Sequence, residues 1–535
     1  MISTHLSELL SHDLGQLFMH GQRVDALQES DNLVFTHVTT DSREVADGSI
    51  FVAIAGEHVD GHDYVSGLTA QCLAIVDHVI EGAQVPQILV KDTVKALGDL
   101  ARINISQRKA FAARGMNEFT IIGITGSVGK TTTKDMLNAV LSKLAPTVAP
   151  QGSFNNDIGL PLTALRVNEQ TRFLVAEMGA SGVGEIAYLT TIAPPDISVV
   201  LKVGVAHLGG FGSVEAIRDA KSEIVRALSS FGVAVLNADD SNVCTMASMT
   251  KASSIIWFSR HSEQTQPKPA VSGPVSSVIT RGTDTVVDEY NRPRFTVTLP
   301  DGSCFDLRLG ISGEHNVYNA LAVISVIYSL DIPEHIAASV LSQMTTISPH
   351  RMHIAPVHIA AGQFTLIDDS FNANPDSMRA GLNALKNYQA ADNELVRVAV
   401  LGAMLELGNS EEQAHRDMGD YAAHNADVVI AVGSDHDENL NRLAGCLAEG
   451  AASVQADQGR SSQIAHCVSS EPNAEQQPYV YAVKNIDQAH TVVDNIVRSQ
   501  RAVVLLKGSH ASGISTLATR WLDNNNDKFS DKASE

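Results

Sequence analysis

Along the chain, short runs of Val, Ile and Ala alternate with stretches in which apolar residues recur every three or four positions. The runs FTIIGITG (119 to 126), FLVAEMGAS (173 to 181), DISVVLKVG (196 to 204) and GVAVLNADD (232 to 240) are separated by helical patterns, which predicts a parallel α/β sheet. Before them, SIFVAIAG (49 to 56) predicts a strand and TVKALGDLARINISQRKA (93 to 110) a helix. A polar stretch, SRHSEQTQPKPAVSGPVSS (259 to 277), then leads into RFTVTLPDGSCFDLRLG (294 to 310), whose alternation predicts a β-hairpin. The run NVYNALAVISVIYSL (316 to 330) predicts a helix. Beyond SPHR (348 to 351), strands recur at FTLIDDS, VRVAVLG, DVVIAVGS and AVVLLKGS, which predicts a second α/β unit. The tail NNNDKFSDKASE (524 to 535) lacks an apolar face and is expected to be without structure.

The 535 residues exceed one ordinary core, and at roughly 150 residues per domain about three domains are expected. A net charge of -22 disfavours nucleic acid or an anionic membrane surface as partner. The five cysteines show no CxxC spacing, so neither a disulfide framework nor a structural zinc site is indicated, and a reducing cytosol fits. No uninterrupted apolar run approaches the 18 or so residues needed to cross a bilayer, and the N-terminus does not read as a signal peptide. A soluble, cytoplasmic protein without membrane insertion is expected.

Candidate chemistry begins at GITGSVGKTTT (123 to 133). The strict phosphate-loop pattern GxxxxGK[ST] fails by one place, because Ile124 stands five before Gly129. The physics survives. Gly126 and Gly129 let backbone N–H groups turn toward an anion, Lys130 supplies a point charge, and Thr131 offers a hydroxyl for magnesium at a helix N-terminus. A nucleotide triphosphate is the expected ligand, held by Thr125, Gly126, Ser127, Val128, Gly129, Lys130, Thr131 and Thr132. Glu177 and His207 follow apolar runs near the carboxyl edge of the expected sheet, where either could hold a metal. Magnesium prefers oxygen, which favours Glu177. Lys221 falls within the apolar stripe Val214, Ile217, Ile224, Val225 and Leu228. It either snorkels to solvent or is buried with a lowered pKa, in which case its neutral amine can add carbon dioxide and become a carbamate ligand for a second magnesium.

Six segments together resemble the Mur ligases of peptidoglycan synthesis: GITGSVGKTTT, QGSFNNDIGLPLTAL (151 to 165), AEMGASGVGEIAYL (176 to 189), AHLGGFGSVEAIRDAKSEI (206 to 224), GEHNVYNALAV (313 to 323) and DDSFNANPDSMRAGL (368 to 382). NANPDSM and MLELG are similar to the branch that joins D-alanyl-D-alanine to UDP-N-acetylmuramoyl-tripeptide. The resemblance implies an α/β chain of three domains: a mixed α/β UDP-substrate domain over 1–113, a central parallel-sheet ATPase domain over 114–347, and a Rossmann-like ligase domain over 348–535. It implies ATP and two magnesium ions as cofactors, an acyl-phosphate intermediate, and a monomer. Carried over by motif, Lys130 and Thr131 would hold phosphate and the first magnesium, and Glu177, His207 and carbamylated Lys221 would serve the metal sites. Asn316 would reach the central site, Asn319 the adenine, and Arg351 and Asp369 would meet ATP as the C-terminal domain closes. Ser42, Arg43, Asn155 and Asn156 are implied for the UDP-sugar substrate; on their residue types alone, Asp-Ser-Arg is a common turn and Asn pairs cap helices.

Ala403, where an acidic residue is expected, and His510, where an arginine is expected, depart from the family pattern in the C-terminal domain, as Ser153 and Lys202 do in the central one. The alternatives within the enzyme class are a Mur ligase adding a different amino acid or the related folylpolyglutamate synthetase. An ATP-hydrolysing switch is the alternative outside it.

Overall fold

The computed structural model describes residues 1–28, 32–56, 59–204, 208–262, 276–288, 290–345, 348–388, 395–457, 464–465 and 479–530. Three main sheets follow one another along the chain. In the first, the parallel strands His37–Thr39, Ser49–Val52, Leu73–Val76 and Gln87–Leu89 are extended by the antiparallel strands Gln16–Met19 and Gln22–Arg23.

The second sheet has nine strands. Its order runs Thr147–Val148, Phe173–Glu177, Thr120–Thr125, Ile197–Val200, Val233–Asn237, Ser254–Ser259 and Ser276–Val287, all parallel, and then the antiparallel hairpin Pro293–Thr298 and Cys304–Arg308. Every residue of Phe173–Glu177 and Ile197–Val200 is buried, which explains why these strands read as apolar runs without alternation. The helix Asn316–Ser329 packs on this sheet with eleven buried residues, from Asn316 to Ile327. It is apolar nearly all round because helices Lys130–Leu141 and Glu334–Gln343 cover its outer side.

The third sheet has the antiparallel pair His353–Ile359 and Gly362–Asp368 on one edge, followed by Ala502–Lys507, Val396–Leu401, Val428–Val432, Val480–Val483 and Ile464–Ala465 in parallel. The sequence reading needs one correction here. The last helix, Ile514–Ser530, carries on into the polar tail expected to lack structure. Ile514, Leu517, Ala518 and Trp521 are buried against the sheet, so core contacts nucleate a helix that the polar residues merely extend. The polar stretch read at 259 to 277 lies mostly outside the described residues.

Helix Thr93–Ala113 ties the first unit to the second. Its buried Asn104 donates to the carbonyls of Ala164 (3.0 Å) and Val167 (2.9 Å), and Arg108 donates to that of Thr171 (3.0 Å). The third unit is docked on the second through polar contacts. Lys202 Nζ meets Asp376 Oδ1 at 2.9 Å, Ser348 Oγ donates to Asp135 Oδ2 at 2.7 Å, and Gly209 N–H donates to the Glu406 carbonyl at 3.0 Å.

Candidate active site

Strand Thr120–Thr125 lies between a strand formed later on one side and a strand formed later still on the other, so the chain reverses direction across the sheet beside it. Such a reversal opens a crevice at the carboxyl ends of the strands, and the loop 126–129 fills that position before helix Lys130–Leu141. Gly129 takes φ 85°, the left-handed region. A side chain there would also put its Cβ 2.5 Å from Asn319 Oδ1. Gly129→Ala is therefore expected to lower stability by about 1–3 kcal/mol, measured by urea unfolding, with a smaller loss at Gly115, which is left-handed but uncrowded.

The loop is fastened to the neighbouring strand by Ser127 N–H to the Lys202 carbonyl (2.8 Å) and by Gly204 N–H to Ser127 Oγ (2.9 Å). Lys130 folds back so that Nζ donates to the Gly126 carbonyl at 2.9 Å. Desolvation lowers its pKa, against the raising influence of Glu177. Thr125 is buried, with an unpartnered hydroxyl, and Thr131 and Thr132 are buried in the first helical turn. Val128 is half-buried.

Glu177 ends its strand 1% exposed. Its Oε1 accepts from Thr131 Oγ1 (3.2 Å) and Asn155 Nδ2 (2.8 Å), while the buried Oε2 has no hydrogen-bond partner among the described residues. A buried carboxylate with an unsatisfied oxygen is costly unless a cation or donor faces it. An oxygen donor set of this kind, one carboxylate and one hydroxyl, fits magnesium. The sequence reading gave Ser153 no role, yet its Oγ lies 2.9 Å from Thr131 Oγ1 and accepts from Arg351 Nη2 at 2.9 Å. It joins the hydroxyl at the helix start to the third unit. Its departure from the family pattern just before the Asn pair singled it out without showing what it meets.

Helix Val214–Arg226 begins at Ser213, whose hydroxyl accepts from Ala216 N–H. Lys221 is 2% exposed, which rules out snorkelling. Burial, reinforced by the charge of Lys130, lowers its pKa to about 7, so a neutral amine is available near neutral pH. His207 lies outside the described residues.

Asn316 and Asn319 lie beneath the loop. Asn319 Nδ2 donates to Asn316 Oδ1 (2.8 Å), Thr133 Oγ1 donates to Asn319 Oδ1 (3.3 Å), and Asn316 Nδ2 donates to the Ser312 carbonyl (2.7 Å). Both side chains thus brace the loop helix. Arg351 stacks over Phe371 at 4.2 Å, and its buried Nε has no hydrogen-bond partner among the described residues. Asp369 receives the buried amine of Lys507 on Oδ2 at 2.6 Å. Lys507 was missed because a lysine ending an apolar strand carries no sign of its partner.

The remaining candidates are more local. Asn156 Oδ1 accepts from Gly159 N–H (2.9 Å) at the start of helix Gly159–Ala164, the capping role its residue type suggests. Ser42 and Arg43 occupy the turn Ser42–Glu44 of the first unit, where Arg43 Nε donates to Asp41 Oδ1 at 2.9 Å. Ala403 is buried in an apolar cluster with Leu440 and Leu443, a setting unsuited to an acidic side chain. His510 is exposed. Among the described residues Cys72, Cys244, Cys304 and Cys446 are free. No helix among them is long and apolar enough to cross a membrane.

The arrangement gathers the glycine loop, a buried carboxylate oxygen without a hydrogen-bond partner among the described residues, Lys130 and Arg351 at the carboxyl ends of the strands. Residues 124–327 match the Mur ligase middle domain, 350–510 the Mur ligase glutamate ligase domain, and 34–104 the Mur ligase catalytic domain. The chain is 38% identical over 417 residues to a UDP-N-acetylmuramoyl-tripeptide--D-alanyl-D-alanine ligase of Mycobacterium bovis, covering 74% of this chain and 77% of that one. It is 34% identical over 439 residues to the Escherichia coli ligase of that name, covering 81% and 86%. A crystal structure of MurF from Acinetobacter baumannii superposes with a TM-score of 0.76 at 28% identity, covering 97% of this chain and 99% of the other. The site geometry and these likenesses agree, and the chain belongs to the Mur ligase family.

Proposed function

We propose that this protein is an ATP-dependent amide ligase that joins D-alanyl-D-alanine to UDP-N-acetylmuramoyl-tripeptide in the cytoplasmic synthesis of peptidoglycan precursor. The observation that carries this reading is the sustained similarity to ligases of that name, 38% over 417 residues in one case. The units 1–113, 114–347 and 348–535 then serve as UDP-substrate, ATP and ligase domains of a chain that works as a monomer.

A carboxylate repels an incoming amine and offers only oxide as leaving group. Phosphorylation removes both obstacles. The tripeptide's terminal carboxylate oxygen attacks the γ-phosphorus of ATP, the bond to the β-phosphate oxygen breaks, and ADP leaves. The amine of D-alanyl-D-alanine then adds to the acyl carbon and loses a proton, and the tetrahedral intermediate expels phosphate.

The backbone N–H groups from Gly126 to Thr132 cradle the triphosphate, with Thr125 at the base of the loop and Ser127 pinning it to the adjacent strand. Lys130 leaves the Gly126 carbonyl for the outer phosphates. Arg351, already at Ser153, adds positive charge to the transferring group. Thr131 and Glu177 Oε2 would hold a first magnesium, and His207 and Lys221 would serve a second. A magnesium ion held there would supply positive charge against the phosphate oxygens, which otherwise repel the attacking carboxylate. For Lys221 to serve, its neutral amine would add carbon dioxide and lose one N–H proton, which turns a buried neutral amine into a carbamate anion. Asp369, held by Lys507, and the Asn316–Asn319 brace complete the nucleotide side, and Asn155 orients Glu177. Ser42, Arg43 and Asn156 remain the residues proposed for the UDP-sugar end.

The Lys202–Asp376 pair bridges the docked units while partly exposed. Lys202→Ala is expected to raise KM for the dipeptide by about two- to fivefold, with the difference from native disappearing in high salt.

The decisive test is phosphate release from ATP with UDP-N-acetylmuramoyl-tripeptide, with and without D-alanyl-D-alanine, with single amino acids as competitors. Release that needs both substrates, and a product heavier by the dipeptide, is expected. Equal release without any amine would sink the reading, and preference for a single amino acid would move the protein to another branch.

A further inference from the structure

The linker that enters the third unit has an unusual backbone. His350 and Met352, on either side of Arg351, take φ 62° and 48°, the left-handed region that costs a side-chain-bearing residue energy. Two such residues around one arginine persist only where surrounding contacts impose them.

Packing alone does not impose this turn. The linker borders a cavity of about 260 Å³ lined by Ile311, Thr345, Ser348, Asp368 and Leu522. Polar contacts do the holding. His350 Nδ1–H donates to Asp368 Oδ2 at 2.9 Å, and Phe371 N–H donates to the His350 carbonyl at 3.0 Å. Met352 N–H donates to Asp369 Oδ1 at 3.2 Å. Asp368 is 1% exposed, and its other oxygen is taken by Ser370 Oγ at 2.5 Å, so its position is set before His350 arrives. Among the described residues, the His350 bond is the one that links a linker side chain to that buried carboxylate.

We propose that His350 is a positioning residue, which holds the left-handed turn that delivers Arg351 across the interface to Ser153 and the phosphate loop. The inference rests on the ligase reading. The imidazole is suited to the task because its Nδ1–H donates whether the ring is neutral or protonated. The bond to Asp368 also raises its pKa against the effect of desolvation, as expected for a ring held by a carboxylate. Without this anchor the linker relaxes toward ordinary backbone angles, and Arg351 leaves Ser153.

The test compares His350→Ala, His350→Asn and His350→Asp, with His350→Ala also made in an Arg351→Ala background. Asn tolerates the left-handed region and keeps a donor, whereas Asp tolerates it and repels Asp368. In the ligation assay His350→Ala is expected to lower kcat between about tenfold and a hundredfold, with KM for the nucleotide-sugar tripeptide unchanged within about twofold. His350→Asn should restore most of the rate, His350→Asp should not, and in the Arg351→Ala background the His350→Ala loss should vanish. An Ala variant within twofold of native, an undiminished loss in the Arg351→Ala background, or equal rates for Asn and Asp overturns the proposal. If the Ala variants prove too unstable to assay, the Asn and Asp pair decides. A native enzyme that fails to ligate refutes the ligase reading instead, whereas a native enzyme that ligates beside an equally active Ala variant refutes only the role of His350.

Discussion

Lys130→Ala is expected to lower kcat/KM for ATP by about a thousandfold or more while leaving the unfolding midpoint nearly unchanged. The charge of Lys130 sits in a desolvated loop where, among the described residues, its hydrogen bond goes to the backbone carbonyl of Gly126 at 2.9 Å and Glu177 acts on it only through its charge. Burial lowers its pKa, and an arriving phosphate reverses that penalty, so the lysine's interaction is stronger with the ligand than without it. Losing it costs little stability because the folded chain gives up one hydrogen bond whose carbonyl faces the open loop. Lys130→Arg should not rescue, since a planar fork replaces a compact ammonium in a loop closed by Gly126 and Gly129. Steady-state kinetics with urea unfolding of the same preparations checks both halves. A large drop in stability would mean that the lysine is structural.

Lys221→Ala is expected to abolish most of the ligation, by about a hundredfold or more, and to recover part of it when a short-chain carboxylate is added. Added carboxylate would occupy the space of the missing carbamate and supply its oxygens. Lys221→Met is expected to be equally inactive but more stable by about 1–2 kcal/mol. The reason lies in the burial. An amine 2% exposed, its pKa pressed down to about 7, burdens the fold, and a thioether of similar length carries no such penalty. The pH dependence has a definite sign. A folded pKa below the unfolded value means that the unfolded chain binds more protons between about pH 7 and the ordinary lysine range, so native stability rises with pH across that window relative to Lys221→Met. Activity, mass spectrometry under carbon dioxide and thermal melts of the two variants test the idea. An active Lys221→Met enzyme would remove the carbamate proposal.

Much of this was legible in the chain. The strand runs and helical periods placed the sheet, and strand–loop–helix order marked the phosphate loop although the strict pattern missed by one residue. Lys221 was legible for a related reason: a helical period of 3.6 fixes which face each residue occupies, and the face around Lys221 was apolar. The tail was misread because a polar segment extending a helix nucleated at Ile514 and Trp521 has no periodic signal of its own.

The sequence by itself thus determined what repeats locally, namely the elements, their buried faces and the glycine turn before helix Lys130–Leu141. Only the tertiary structure decided who meets whom: Arg351 with Ser153, Lys507 with Asp369, and Asn319 with the loop helix. It also decided that one oxygen of Glu177 is left unsatisfied and that His350 anchors a left-handed turn. These pairings join residues 138 to 198 positions apart, and local periodicity reports only neighbours within a turn or a pleat. Contacts across such separations exist only once distant segments have paired within a sheet, as for Lys507 and Asp369, or packed between units, as for Arg351 and Ser153.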